Sequence, residues 1–84
     1  MNTHPVPLTY PTRWEYRIIG RNEHVLKGAI SAVMGSREYA LSFSNSSKQG
    51  SYISLALSTI VESEEARTTI YDELKKRPEV IVVL

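Results

Sequence analysis

The hydrophobic period of this chain switches repeatedly between two and about 3.6, and the order of those switches restricts the fold more than any other feature. Trp14, Tyr16 and Ile18 alternate with Glu15 and Arg17, which predicts a half-buried strand ending at Gly20. Asn22 is suited to cap a helix. Val25, Leu26, Ala29, Ile30 and Val33 then recur at helical spacing, and Gly35 is a natural stop. Gly28 inside this helix is less favourable than Ala by about 1 kcal/mol, which suggests a close approach of helix to sheet. Tyr39, Leu41 and Phe43 alternate with Ala40, Ser42 and Ser44; after a turn cluster over 45–50, Ile53, Leu55 and Leu57 alternate with Ser54, Ala56 and Ser58. This pair reads as a hairpin with a longer loop. Ser63 can cap a second helix, with Glu64 and Glu65 in its first turn and Lys75, Lys76 and Arg77 in its last, both matching the helix dipole. Ala66, Ile70 and Leu74 form its inward stripe. Pro78 stops it, and Val80–Leu84 reads as an unbroken apolar strand.

The order is therefore β-α-β-β-α-β. That order specifies an α+β, ferredoxin-like sandwich, a four-stranded antiparallel sheet with two helices on one face. Right-handed crossovers restrict the strand order to 4-1-3-2, and the alternation in the first three strands implies one wet sheet face. Pro5, Pro7 and Pro11 bias residues 1–11 toward a flexible extended arm, on which Leu8 and Tyr10 are able to dock. Residues 12–84 form the single domain.

Composition narrows the function classes. With 42% hydrophobic and 23% charged residues, the chain falls in the range of ordinary globular domains. It has no Cys, which excludes disulfides, thiolate metal sites and Cys nucleophiles and fits a reducing cytoplasm. No apolar run approaches the ~20 residues needed to span a bilayer, so no membrane role is expected. A net charge of +1 is far from that of a dedicated nucleic-acid binder. The open sheet face would carry Glu15, Arg17, Ser42, Ser44, Ser54, Ala56 and Ser58, and small hydroxyls cannot stack bases.

Tyr10-Pro11-Thr12, Tyr16-Arg17-Ile18-Ile19-Gly20, Ser46-Ser47-Lys48 with Gly50 and Tyr52, and Val82-Val83-Leu84 together resemble the YbeD-like family of small bacterial proteins. The resemblance runs from about Leu8 to Leu84. It implies a ferredoxin-like fold close to that of ACT regulatory domains, a cytoplasmic setting, and a regulatory or effector-binding role by analogy of fold.

Catalysis and metal binding find little support in the residues. His4 and His24 are too few for a metal centre. A nucleophilic triad would have to draw on His24 and Asp72, with no serine singled out. No catalytic residue, metal or cofactor is expected. Two other features do emerge from the topology. The first strand–helix turn, the 45–50 loop and the end of the second helix fall at one end of the sheet. Arg21, Asn22, Lys48, Lys75, Lys76 and Arg77 gather there as a candidate anion- or partner-binding set. The plainer reading is that the helix-two cations complement the dipole and remain solvated. The second feature is Val80, Ile81, Val82, Val83 and Leu84, an edge strand with apolar residues on both faces and only Pro78 and Glu79 at its entrance. Such an edge is expected either to lie under the proline-rich arm or to form a homodimer or partner interface.

These features point to a small non-enzymatic regulatory or adaptor protein acting on a protein partner. The alternative is a sensor of a small anionic metabolite, in the loose manner of ACT domains. An RNA-binding module ranks third.

Overall fold

The computed structural model describes residues 9–46 and 51–84. The elements follow the expected order: β1 (Thr12–Gly20), α1 (Glu23–Met34), β2 (Tyr39–Ser46), β3 (Ile53–Val61), α2 (Glu64–Lys76) and β4 (Val82–Val83). The sheet order is β2-β3-β1-β4, all neighbours antiparallel. This is the 4-1-3-2 arrangement read from the other side.

Local chemistry sets the helix ends. Asn22 Oδ1 accepts from the Val25 amide at 2.9 Å, and Ser63 Oγ accepts from the Ala66 amide at 3.1 Å, so each helix start has a capped donor. Gly35 closes α1 at φ 60°, a left-handed conformation that side chains resist, and its amide bonds to the Ser31 carbonyl at 3.0 Å. β1 pairs with β3 along its whole length, Thr12 opposite Val61 and Gly20 opposite Ile53. The inward residues of both strands meet the helices. Tyr16, Ile18, Leu55, Leu57 and Val61 pack with Leu26, Ile30 and Met34 of α1 and with Ile70 and Leu74 of α2. Each such side chain contributes roughly 1.5–3 kcal/mol on burial.

Two expectations need correction, and one exposed ring calls for an explanation. Regular β4 is two residues long rather than five. The Val80 amide bonds to the Arg77 carbonyl at 3.1 Å, so the chain is still turning out of α2 where the strand was expected to begin. Contact with β1 nevertheless extends from the Ile81 amide on the Ile19 carbonyl, at 2.8 Å, to Leu84, which exchanges both backbone bonds with Arg17 at 2.8 and 3.0 Å. Gly28 marks no close approach, since a Cβ there would meet nothing within 4 Å. The close approach is at Gly20, where a Cβ would stand 2.9 Å from Leu26 Cδ1 and 3.0 Å from the Glu79 carbonyl oxygen. Phe43 lies on the helix side of the sheet by register yet is 56% exposed, because β2 is an edge strand and the core does not reach its end.

Candidate functional site

The polar set at the β1–α1 end is largely engaged within the chain. The Arg21 guanidinium lies 5.6 Å from the centroid of the Tyr52 ring, and Asn22 is committed to its cap. Lys75 stands 5.5 Å from the Tyr71 ring centroid, Lys76 lies 3.9 Å from Glu73, and Arg77 pairs with Glu79 at 3.1 Å. Lys48 lies outside the described residues. Arg77 Nε and Glu79 Oε1 are buried without a hydrogen-bond partner, while the other ends of the same two side chains bond to each other. A hydrogen bond from its own backbone amide holds the Glu79 carboxyl below the usual carboxylate range; burial opposes this, and Arg77 adds to it. Among the described residues no three His, Cys, Asp or Glu side chains gather as a metal site.

The C-terminal segment is arranged differently. Val83 is 6% exposed and faces the helices, whereas Ile81, Val82 and Leu84 are exposed at 46%, 38% and 68%. Val80 packs half-buried against the core. Beside Leu84 opens a groove of about 280 Å³ lined by Trp14, Tyr16, Arg67, Thr68, Tyr71 and Leu84.

Its geometry follows from two spacings. Trp14 and Tyr16 are two apart on β1 and so share a sheet face, and Arg67 and Tyr71 are one turn apart on α2 and so share a helix face. Arg67 organises the wall. Its guanidinium lies 4.5 Å from the Trp14 ring centroid, its Nε donates to the Tyr10 hydroxyl at 3.2 Å, and its carbonyl accepts from the Tyr16 hydroxyl at 2.7 Å. Burial pushes the Tyr16 phenol above the usual tyrosine value, and the Arg67 charge only partly offsets this. The groove is thus aromatic-walled, with a cation held over one ring. Sequence reading singled out Leu84 but missed Trp14, Arg67 and Tyr71 as partners in one recess. The i, i+4 spacing of Arg67 and Tyr71 was the available signal.

The model of a family described as proteins of unknown function, DUF493, matches residues 6–84, nearly the whole chain. The chain belongs to the DUF493 family. This DUF493 chain is 33% identical over 75 residues to the Campylobacter jejuni protein Cj0253, an alignment covering 89% of this chain and 86% of that one. It superposes on the solution structure of HP0495 from H. pylori with a TM-score of 0.79 at 25% identity, over 100% of this chain and 98% of that one. The ACT domain of the GTP pyrophosphokinase of Chlorobium tepidum gives a TM-score of 0.62 at 20% identity, over 86% of this chain and 94% of that one, which is a likeness of fold alone. The family and the ACT-like fold agree with the YbeD-like resemblance in the residues. The family description and the Campylobacter jejuni relative carry no enzymatic name. No helix among the described residues is long and apolar enough to cross a membrane.

Proposed function

We propose that this chain is a small cytoplasmic regulatory or adaptor protein that acts by binding another protein. The observation that carries the reading is the exposed apolar run of Ile81, Val82 and Leu84, which continues into the groove walled by Trp14, Arg67 and Tyr71. A partner able to place an apolar side chain in the groove gains burial at about 25 cal/mol per Å² while the rim covers exposed valine, isoleucine and leucine. The Arg67–Trp14 contact is already made in the chain alone, which limits the ordering that association requires.

Affinity capture on the full chain tests this. The expected result is a partner retained by the parent protein and by Arg21→Glu, but lost from a Val82→Asp, Leu84→Asp variant whose circular dichroism is unchanged. Equal retention by all three proteins sinks the reading. A thermal midpoint raised by phosphate or small carboxylates, and no longer raised in Arg21→Glu, would instead favour the anion-sensing alternative at the β1–α1 end.

A further inference from the structure

β1 is paired on both sides for only part of its length. Towards β3 it is laced from Thr12 to Gly20. Towards β4 the ladder stops where Leu84 exchanges both backbone bonds with Arg17. Backbone groups alternate in direction along a strand, so those of Arg13 and Glu15 point the same way as those of Arg17. Among the described residues, nothing pairs with the N–H and C=O groups of Arg13 and Glu15 on that side. A recess lies on each face of this unpaired stretch. On the helix side is the groove walled by Trp14, Tyr16, Arg67 and Tyr71. On the other side is a hollow of about 260 Å³ lined by Glu15, Arg17 and Leu84.

The chain enters β1 alongside this groove, because Arg67 Nε donates to the Tyr10 hydroxyl at 3.2 Å. A little upstream stands Pro5-Val6-Pro7-Leu8. Its prolines lie two apart, and proline has no N–H to give to a neighbouring strand. Proline in a sheet is confined to an edge, with its nitrogen turned away from the ladder. That condition fixes the parity of any pairing with β1: only even-numbered residues can face Arg13 and Glu15. Tyr10 makes no backbone bond to Arg13, so the shortest return sets Leu8 opposite Arg13 and Val6 opposite Glu15. Residues 9–12 then form a four-residue connection, a common hairpin length. His4 and Val6 each precede a proline, which biases both toward extended backbone.

We propose that residues 5–8 dock on the free stretch of β1 of the same chain as a short antiparallel strand, so that the protein closes its own groove. Directly opposed residues share a sheet face. Pro7 comes beside Trp14 and Pro5 beside Tyr16, which puts both proline rings in the aromatic groove. Rigid proline rings suit aromatic walls, as in the recognition of proline-rich segments generally. Val6 takes the hollow beside Glu15, and Leu8 lies with Arg13. Leu84 already holds the place opposite Arg17, so the added strand ends at Pro5 and His4 turns away. Its outer edge lacks N–H groups at Pro5 and Pro7, which keeps further strands from pairing there. A partner that enters the groove must displace this segment; that consequence rests on the reading above, whereas the docking itself does not.

Amide exchange by NMR on the full chain tests the docking without any partner. In the parent protein the Glu15 amide should be protected, to the same degree at every protein concentration. Val6→Pro removes the N–H that meets the Glu15 carbonyl and should speed Glu15 exchange about tenfold or more. Trp14, the only tryptophan, should then emit at longer wavelength as its groove opens to water. Pro7→Ala keeps the bonding parity and should change Glu15 exchange by less than about threefold. Tyr16 and Ile18, whose backbone groups turn toward β3, should keep their protection in all three proteins, which reports an intact domain. Glu15 exchange as fast in the parent as in Val6→Pro overturns the proposal. So does an equal loss of protection in Pro7→Ala, or protection that rises with concentration, which would put a second copy's segment at this edge.

Discussion

The guanidinium of Arg67 lies 4.5 Å from the centroid of the Trp14 ring while its Nε holds the Tyr10 hydroxyl at 3.2 Å. One side chain of α2 therefore anchors both the start of β1 and the residues leading into it. A cation–π contact of this kind contributes ~1 kcal/mol and the hydrogen bond about as much. Arg67→Ala is expected to lower stability by roughly 1–2 kcal/mol in urea denaturation. Trp14 is the only tryptophan in the chain, so its fluorescence reports the same site directly. Arg67→Lys keeps the charge without the guanidinium and should recover only part of the loss.

Tyr16 makes the alkaline limb of stability informative. Its phenol is held above the usual value chiefly by burial, and its hydroxyl donates to the Arg67 carbonyl at 2.7 Å. Above a pH of about 10 the unfolded chain loses this proton while the folded chain retains it, so stability falls as pH rises. Below that pH the contribution is fully present. Tyr16→Phe should flatten the alkaline fall in a pH series of denaturation midpoints, at a cost of about 1 kcal/mol near neutrality. An alkaline limb that is equally steep in the variant would count against the assignment.

The acid limb has its own reporter. The Glu79 carboxyl is depressed by a hydrogen bond from its own backbone amide and by Arg77, so its contribution is present above the ordinary glutamate value and lost as pH falls through the depressed one. Glu79→Gln is expected to shift the acid midpoint of unfolding less steeply with pH than the parent shows.

The two glycines at the first crossover should respond with opposite signs. At Gly20 an added methyl would stand 2.9 Å from Leu26 Cδ1 and 3.0 Å from the Glu79 carbonyl, and backbone cannot give way as a side-chain tip can. Gly20→Ala is expected to destabilise by about 1–3 kcal/mol. Gly28 is exposed in mid-helix with open space around it, so Gly28→Ala should stabilise by about 0.5–1 kcal/mol. Thermal denaturation of both variants decides the matter.

The glycine pair also shows where reading from sequence stops. Period changes located every element, and Asn22, Gly35 and Ser63 located the helix ends, because these are local preferences of the chain. What Gly20 touches depends on Leu26 and Glu79, which only the folded sheet brings to it. The same holds for the groove. Leu84 stood out as exposed apolar material, but Trp14, Arg67 and Tyr71 meet through the packing of β1 under α2. β4 was overestimated because a run of apolar residues does not reveal that Val80 still bonds back to Arg77. Phe43 makes a related point. Alternation identifies a strand, yet whether its last ring is covered depends on how far the core extends over it.

The unequal lengths of β2 and β4 also make the sheet lopsided in how firmly its flanks are held. β2 is laced to β3 from Tyr39 to Ser46, whereas the C-terminal segment is tied to β1 by a few backbone bonds. Local opening therefore begins at the C-terminal flank, and amide exchange is expected to reach Ile81 and Leu84 well before the β3 core.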